Sequence, residues 1–129
     1  MPPTKSEFDA LEKFKEVAHY CSECRCGFCR ENCPMYTTVK RESTHARGIC
    51  AIALGLLEGV IRPSQHLAEN MALCTTCGWC TQRCPLNLIE EFTSAKGKID
   101  IPKIMEAFRE ELVQKSLVPP KVRDFLENI

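Results

Sequence analysis

Nine of the ten cysteines in this 129-residue chain fall in two short runs. The second run, CTTCGWCTQRCP at residues 74–85, sets Cys74, Cys77, Cys80 and Cys84 at C-x2-C-x2-C-x3-C-P. That is the spacing of bacterial cubane iron-sulfur ligation. Three closely spaced thiolates reach three irons of one cube from a single loop, while the cysteine before proline ligates the other cluster of a pair. The first run, CSECRCGFCRENCP at 21–34, also closes on Cys-Pro but holds five cysteines where a cube takes four. Two such runs imply two [4Fe-4S] clusters with crossed ligation: Cys84 completes the first, and Cys33 completes the second beside Cys74, Cys77 and Cys80.

Two registers are open for the first run. Counting back from Cys33-Pro34, Cys29 and Cys26 keep the regular spacing, but the next position is Glu23, so Cys24 or Cys21 must serve as the third loop ligand. The other register takes Cys21, Cys24, Cys29 and Cys33, lengthens the middle loop by two residues and leaves Cys26 over.

Zinc is the plain metal alternative. Its C-x2-C pairs, however, usually stand apart across a longer loop, whereas here four cysteines crowd into eleven residues. A thioredoxin-like reading of CGWC is weaker, because Cys77 and Cys80 belong to the larger run and no βαβ pattern surrounds them. Disulfides are disfavoured too. The N-terminus, MPPTKSEFDALEKFKEV, is charged where a secretory signal needs an apolar stretch, so the expectation is a cytoplasmic, reducing setting in which spaced cysteines bind metal.

Seventeen Lys plus Arg balance seventeen Asp plus Glu, so no net field draws in nucleic acid or an anionic surface. The longest apolar segment, ICAIALGLL at 49–57, is far short of the roughly 20 residues of a membrane span. Peripheral association is the most that this pattern allows.

The elements that must position the cysteines read as helical. Ser6 with Asp9 is an N-cap pair for a helix carrying Phe8, Leu11, Phe14 and Ala18 to Cys21. Ser43 is expected to cap a second helix with Ile49, Ile52, Ala53, Leu56, Leu57 and Val60 on one face. Arg62-Pro63 breaks it, and Ser64 starts a short helix with Leu67, Met71 and Ala72, leading to Cys74. After Pro85 come Leu86, Leu88, Ile89 and Phe92, then Gly97 and a helix opening near Pro102 with Ile104, Phe108 and Leu112. Pro119-Pro120 ends that helix, and Val122, Phe125, Leu126 and Ile129 form a last amphipathic stripe, able to dock on a partner or to fold back. The repeat of cysteine loop, Cys-Pro and helix predicts an all-α body of two pseudo-symmetric halves over residues 1–98, followed by a C-terminal helical extension over 99–129.

Resemblance adds to this reading. The spacing Cys21, Cys24, Cys29, Cys33 resembles the first cysteine run in the N-terminal iron-sulfur domains of dihydropyrimidine dehydrogenase and the glutamate synthase small subunit. It implies Cys21, Cys24, Cys29 and Cys84 as the first cluster's ligands, with Cys26 the alternative. From Cys21 to Pro85, CP-M-Y, T-H-A-R-G at 44–48, L-L-E-G at 56–59 and CTTCGWCTQRCP are similar to the iron-sulfur subunit of heterodisulfide reductase and to the N-terminal halves of glycolate oxidase and anaerobic glycerol-3-phosphate dehydrogenase iron-sulfur subunits. The resemblance implies an alpha-helical ferredoxin and a role in anaerobic metabolism. Members of that group with chemistry of their own carry further cysteine-rich CCG domains, and no cysteine follows Cys84 here. The implied role is an electron-transfer subunit of a heteromeric oxidoreductase, without a catalytic site of its own, beside a flavin-containing or CCG-domain protein. A zinc-held interaction module and an iron-sulfur redox sensor are the competing classes.

Other residues carry weaker signals. Arg25, Arg30 and Arg83 lie within the runs, where cations raise a cluster's potential, though ordinary solvated arginines look the same. Trp79 is a candidate shield for the second cluster. Cys50 reads as a small buried hydrophobe. His19, His45 and His66 show no ligand spacing and read as ordinary satisfied or exposed histidines.

Overall fold

The periodic stretch after the first cysteine run folds as the central helix of the molecule. In the computed structural model, which describes residues 8–24 and 26–128, Ala46–Leu57 forms a helix that buries Ile49, Cys50, Ala53 and Leu56. In chain order the helices are α1 (Asp9–Glu12), α2 (Lys15–Glu23), α3 (Pro34–Val39), α4 (Ala46–Leu57), α5 (Gln65–Met71), α6 (Trp79–Arg83), α7 (Glu90–Lys96), α8 (Ile101–Gln114) and α9 (Pro120–Glu127). Short 3-10 turns at Phe28–Arg30, Glu42–Thr44 and Pro85–Leu88 join them, and no strand occurs among the described residues. The fold is all-α.

Three details differ from the sequence expectations. The first helix is two: α1 stops at Glu12 and α2 starts at Lys15. The break lets Leu11 and Phe8 bury beside α8, where Glu111 Oε1 accepts the Ala10 N–H at 2.7 Å, while α2 lies along α4. Ser6 lies outside the described residues, as do Arg25 and Ile129.

Ser43 does not cap α4; His45 stands at the N-cap. Ser43 lies in the preceding 3-10 turn, where its Oγ donates to Asn70 Oδ1 at 3.1 Å and its carbonyl accepts Asn70 Nδ2 at 2.9 Å. That turn presses on α4 so closely that a Cβ on Gly48 would come within 1.8 Å of the Glu42 carbonyl oxygen. Only glycine fits there. Val60, read as the last residue of the α4 stripe, is 77% exposed because the helix ends at Leu57 and Gly59 turns left-handed.

The helix near Pro102 forms as read. Asp100 caps it by accepting the Lys103 N–H, and Ile104, Phe108 and Leu112 are buried with Ile101, Met105 and Ala107. These residues share one core with Leu11, Ile49 and Met71, so α8 packs into the same body as the cysteine halves. Ser64 caps α5 by accepting the Leu67 N–H at 3.1 Å. The stripe of α9 is exposed at Val122, Phe125 and Leu126. No helix among the described residues is long and apolar enough to cross a membrane.

Candidate metal centre

The two cysteine runs share a backbone path from the glycine to the Cys-Pro step. In each, a glycine takes the left-handed conformation, Gly27 at φ 68° and Gly78 at φ 80°, and a helical turn follows at once. Glycine enters that region without the Cβ clash other residues meet. The sharp turn sends Cys29 and Cys80, each two residues on, back toward the core. Four residues later Cys33 and Cys84 are both extended, at ψ 118° and 119°, because the following proline disfavours the helical region; Pro34 and Pro85 then open new helical turns.

The thiols surround two cavities. Cys21, Cys24, Cys26 and Cys29 of the first run line one together with Cys84 and Cys80. Cys33 lines the other with Cys74, Cys77 and Cys80 of the second run. Each cavity thus includes the pre-proline cysteine of the opposite run. Among the described residues no three metal-binding side chains converge as a single ion requires. Several thiols around each space are the donor set that a cubane cluster takes.

Ala46, Cys80 and Ile101 belong to both linings and form the wall between them. Ala46 is the first residue of α4, so the positive end of that helix dipole lies where two anionic groups would sit. Ile101 is held in place by the segment before α8. Asn87 bridges the Thr81 and Ile99 carbonyls at 2.9 and 2.8 Å and accepts the Ile99 N–H, and Thr81 Oγ1 accepts the Ile101 N–H. On the far side Arg109 of α8 donates through Nη2 to the Met71 and Cys74 carbonyls at 3.1 and 2.6 Å, clamping the chain where it enters the second loop.

Electrostatics separates the first-run thiols. Cys21 is buried, and its pKa is driven far up by a hydrogen bond with the buried Cys50 thiol and by desolvation. Burial raises Cys24 as well. Cys26, only 3.0 Å from Cys24, moves down: desolvation opposes this, but the Cys24 thiol and the backbone N–H groups of Phe28 and Gly27 prevail. Burial pushes Cys29 up to about 11 and Cys80 to about 12, and raises Cys74 and Cys84 less far. Backbone N–H groups oppose the rise at each: Arg47 for Cys29, Thr81 for Cys80, Thr76 for Cys74 and Asn87 with Leu86 for Cys84. Such donors stabilise metal-bound thiolates in particular, because coordination removes the proton outright.

Trp79 lines the second cavity and is partly exposed. Arg30 and Arg83 engage neighbours outside the cavities: Arg30 stacks over Tyr36 and nears Glu42, and Arg83 covers Phe28 and nears Glu31. Cys50 is fully buried, and its contact with Cys21 was not legible from the stripe. His19 and His66 are exposed. His45 escaped the sequence reading: its side chain is fully buried, with Nδ1 3.7 Å from Cys29 Sγ. Its one signal in the sequence was its place in the T-H-A-R-G segment between the runs.

A helical body with two cysteine-lined cavities defines an iron-sulfur carrier. The family model of the 4Fe-4S dicluster domain matches residues 17–88, and the chain belongs to that family. Its cofactors are two [4Fe-4S] clusters, which give it an electron-transfer role. The chain is similar to a probable glycolate oxidase iron-sulfur subunit of Bacillus subtilis (strain 168), at 36% identity over 62 residues. That alignment takes in 47% of this chain and 14% of the relative, so the chain spans a small part of the protein it resembles. No solved structure matches.

Proposed function

We propose that this chain relays single electrons between redox partners in a heteromeric oxidoreductase, through two cubes gripped from both halves of the molecule. The observation that carries the proposal is the wall of Ala46, Cys80 and Ile101 common to both cavities: two redox groups separated by one layer of side chains form a path, not two isolated stores. Each cube supplies reversible one-electron chemistry. The protein contributes thiolates, backbone donors to sulfur and an apolar enclosure.

Cys33, Cys74, Cys77 and Cys80 are assigned to the second cluster, and Cys84 with Cys29 to the first. The remaining two first-cluster ligands come from Cys21, Cys24 and Cys26. The expected pair is Cys21 and Cys24. A second reading, Cys24 with Cys26, is favoured by the local backbone. Cys26-Gly27-Phe28-Cys29 repeats Cys77-Gly78-Trp79-Cys80, and Cys26 is the first-run thiol whose pKa is lowered, whereas Cys21 is occupied with Cys50.

The similarity to a glycolate oxidase iron-sulfur subunit supports a partner that handles two-electron chemistry, of the flavin or CCG type. Cysteine usage supports a reducing, cytoplasmic setting, and the motif resemblance supports a place beside heterodisulfide reductase-type, anaerobic systems. Residues 1–98 supply every cluster thiol; within 99–129, the exposed face of α9 is the proposed partner contact.

Anaerobic purification tests the core of this reading, with about eight irons and eight sulfides per chain expected from two cubes. Cys84→Ala should abolish one cluster signal in EPR spectra after dithionite and leave the other. Stoichiometric zinc without sulfide would replace the relay by an interaction module; cluster loss that switches partner binding would replace it by a sensor. In a series of Cys21→Ala, Cys24→Ala and Cys26→Ala, the variant that keeps all its iron names the surplus thiol.

A further inference from the structure

His45 lies against a proposed cluster ligand without belonging to the ligand set. Its side chain is 0% exposed, and as N-cap of α4 its backbone is fixed. Nδ1 is 3.7 Å from Cys29 Sγ, and Tyr36 packs edge-on against the ring at a centroid separation of 5.1 Å. Nε2 lies 2.8 Å from Glu42 Oε2, off the axis of a linear hydrogen bond. Glu42 is itself held by Arg47 at 2.8 Å and approached by Arg30 at 3.9 Å. The ring is wedged. The same residue lines the second cavity beside Cys33 and Cys74, so it stands between the two cluster sites.

We propose that His45 is a positioning residue that donates Nδ1–H to Cys29 Sγ and thereby sets the first-cavity cluster at a higher reduction potential than it would otherwise have, splitting the potentials of the two clusters. The proposal rests on the relay reading and on Cys29 as a ligand. An iron-bound sulfur offers only lone pairs and the Glu42 carboxylate faces Nε2, so the ring meets both neighbours as a donor when both nitrogens carry hydrogen. Reduction adds negative charge that spreads onto the ligand sulfurs, and a donor to sulfur therefore stabilises the reduced state more than the oxidised one. Cys29 already receives the backbone N–H groups of Arg47 and of its own residue, and His45 adds a side-chain donor. Cys80, at the matching place in the second run, draws on the backbone N–H of Thr81. At these matching places it is the imidazole that sets Cys29 apart.

The test is an EPR-monitored redox titration of the anaerobically loaded full chain, with the first-cavity signal identified as the one lost in Cys84→Ala. In His45→Phe, which keeps a ring and removes both nitrogens, the reduced-to-oxidised ratio of that cluster at a fixed ambient potential should fall about tenfold, about 59 mV for a one-electron couple. The second cluster should move much less. His45→Asn, whose amide nitrogen falls near the place of Nδ1, should restore most of the shift. Where His45→Phe does not load, His45→Gln carries the same comparison, since its amide reaches toward Glu42 and not Cys29. Equal shifts in both clusters, an unmoved potential at full iron content, or Asn behaving like Phe would each overturn the proposal. A wild-type chain that takes up no iron overturns the relay reading and this proposal with it; a loaded chain with unmoved potentials overturns this proposal alone.

Discussion

Arg109 Nη2 lies 2.6 Å from the Cys74 carbonyl oxygen across a sequence separation of 35 residues. The same guanidinium also holds the Met71 carbonyl, so α8 fixes the last turn of α5 and the entry to the second cysteine loop together. Arg109→Ala removes a charged donor from two carbonyls, at about 2–3 kcal/mol. The expected outcome is a lower thermal midpoint and a preferential loss of the cluster beside Cys74, read from iron content and EPR intensity. Arg109→Lys, which lacks the planar fork, should recover only part of the loss.

The paired left-handed glycines make a symmetric prediction. Gly27→Ala and Gly78→Ala each force a Cβ into a region that costs about 1–2 kcal/mol. At Gly27 the new Cβ would also lie 2.8 Å from Arg30 Nη2, which must swing aside. Each variant should lose most of the cluster on its own side and keep most of the other, seen as the disappearance of one of two EPR signals at roughly half the iron content.

Glu111 is 2% exposed and accepts the Ala10 N–H, with Lys115 Nζ 3.6 Å from its other oxygen. Glu111→Ala leaves the partly buried Ala10 N–H without its acceptor, costing about 1–3 kcal/mol. Glu111→Gln keeps an acceptor and should cost less. Denaturant unfolding of the loaded protein separates the two, and cluster potentials should be unchanged in both, since Glu111 lines neither cavity.

Removing the clusters should make stability sensitive to alkaline pH. In the metal-free chain, burial holds the folded-state pKa of Cys29 at about 11 and of Cys80 at about 12, above the ordinary thiol value of 9.0. A raised folded pKa means the native state binds the proton more tightly, so this contribution is full below pH 9 and is lost as pH climbs through 11–12. Thermal melts of the metal-free chain should therefore fall across that window. The loaded protein, whose sulfurs are already deprotonated by iron, should show a much flatter profile there, and cluster assembly in weakly buffered solution should release protons.

Much of the fold was legible because the helical stripes are strong. Ile49, Ala53 and Leu56, and Ile104, Phe108 and Leu112, each bury as their spacing requires. What escaped was set by tertiary contact. Nothing local in Ser43 says that its hydroxyl serves Asn70 instead of α4, and Gly48 looks like a mild helix defect until the Glu42 carbonyl is found against it. Within the site, both cysteine runs and their partition between two spaces follow from spacing. The pairing of Cys21 with Cys50 and the approach of His45 to Cys29 do not, because each joins residues whose helical faces meet only after α2, α4 and the first loop have packed.

Because Cys84 helps to line the space enclosed by the first run, and Cys33 the space enclosed by the second, neither compartment exists in a half-synthesised polypeptide. The first five thiols leave the ribosome with no finished receptacle to fill. Nor does the emergence of Pro85 finish either one, because Ile99 and Ile101 close the first and Ile101 and Pro102 the second.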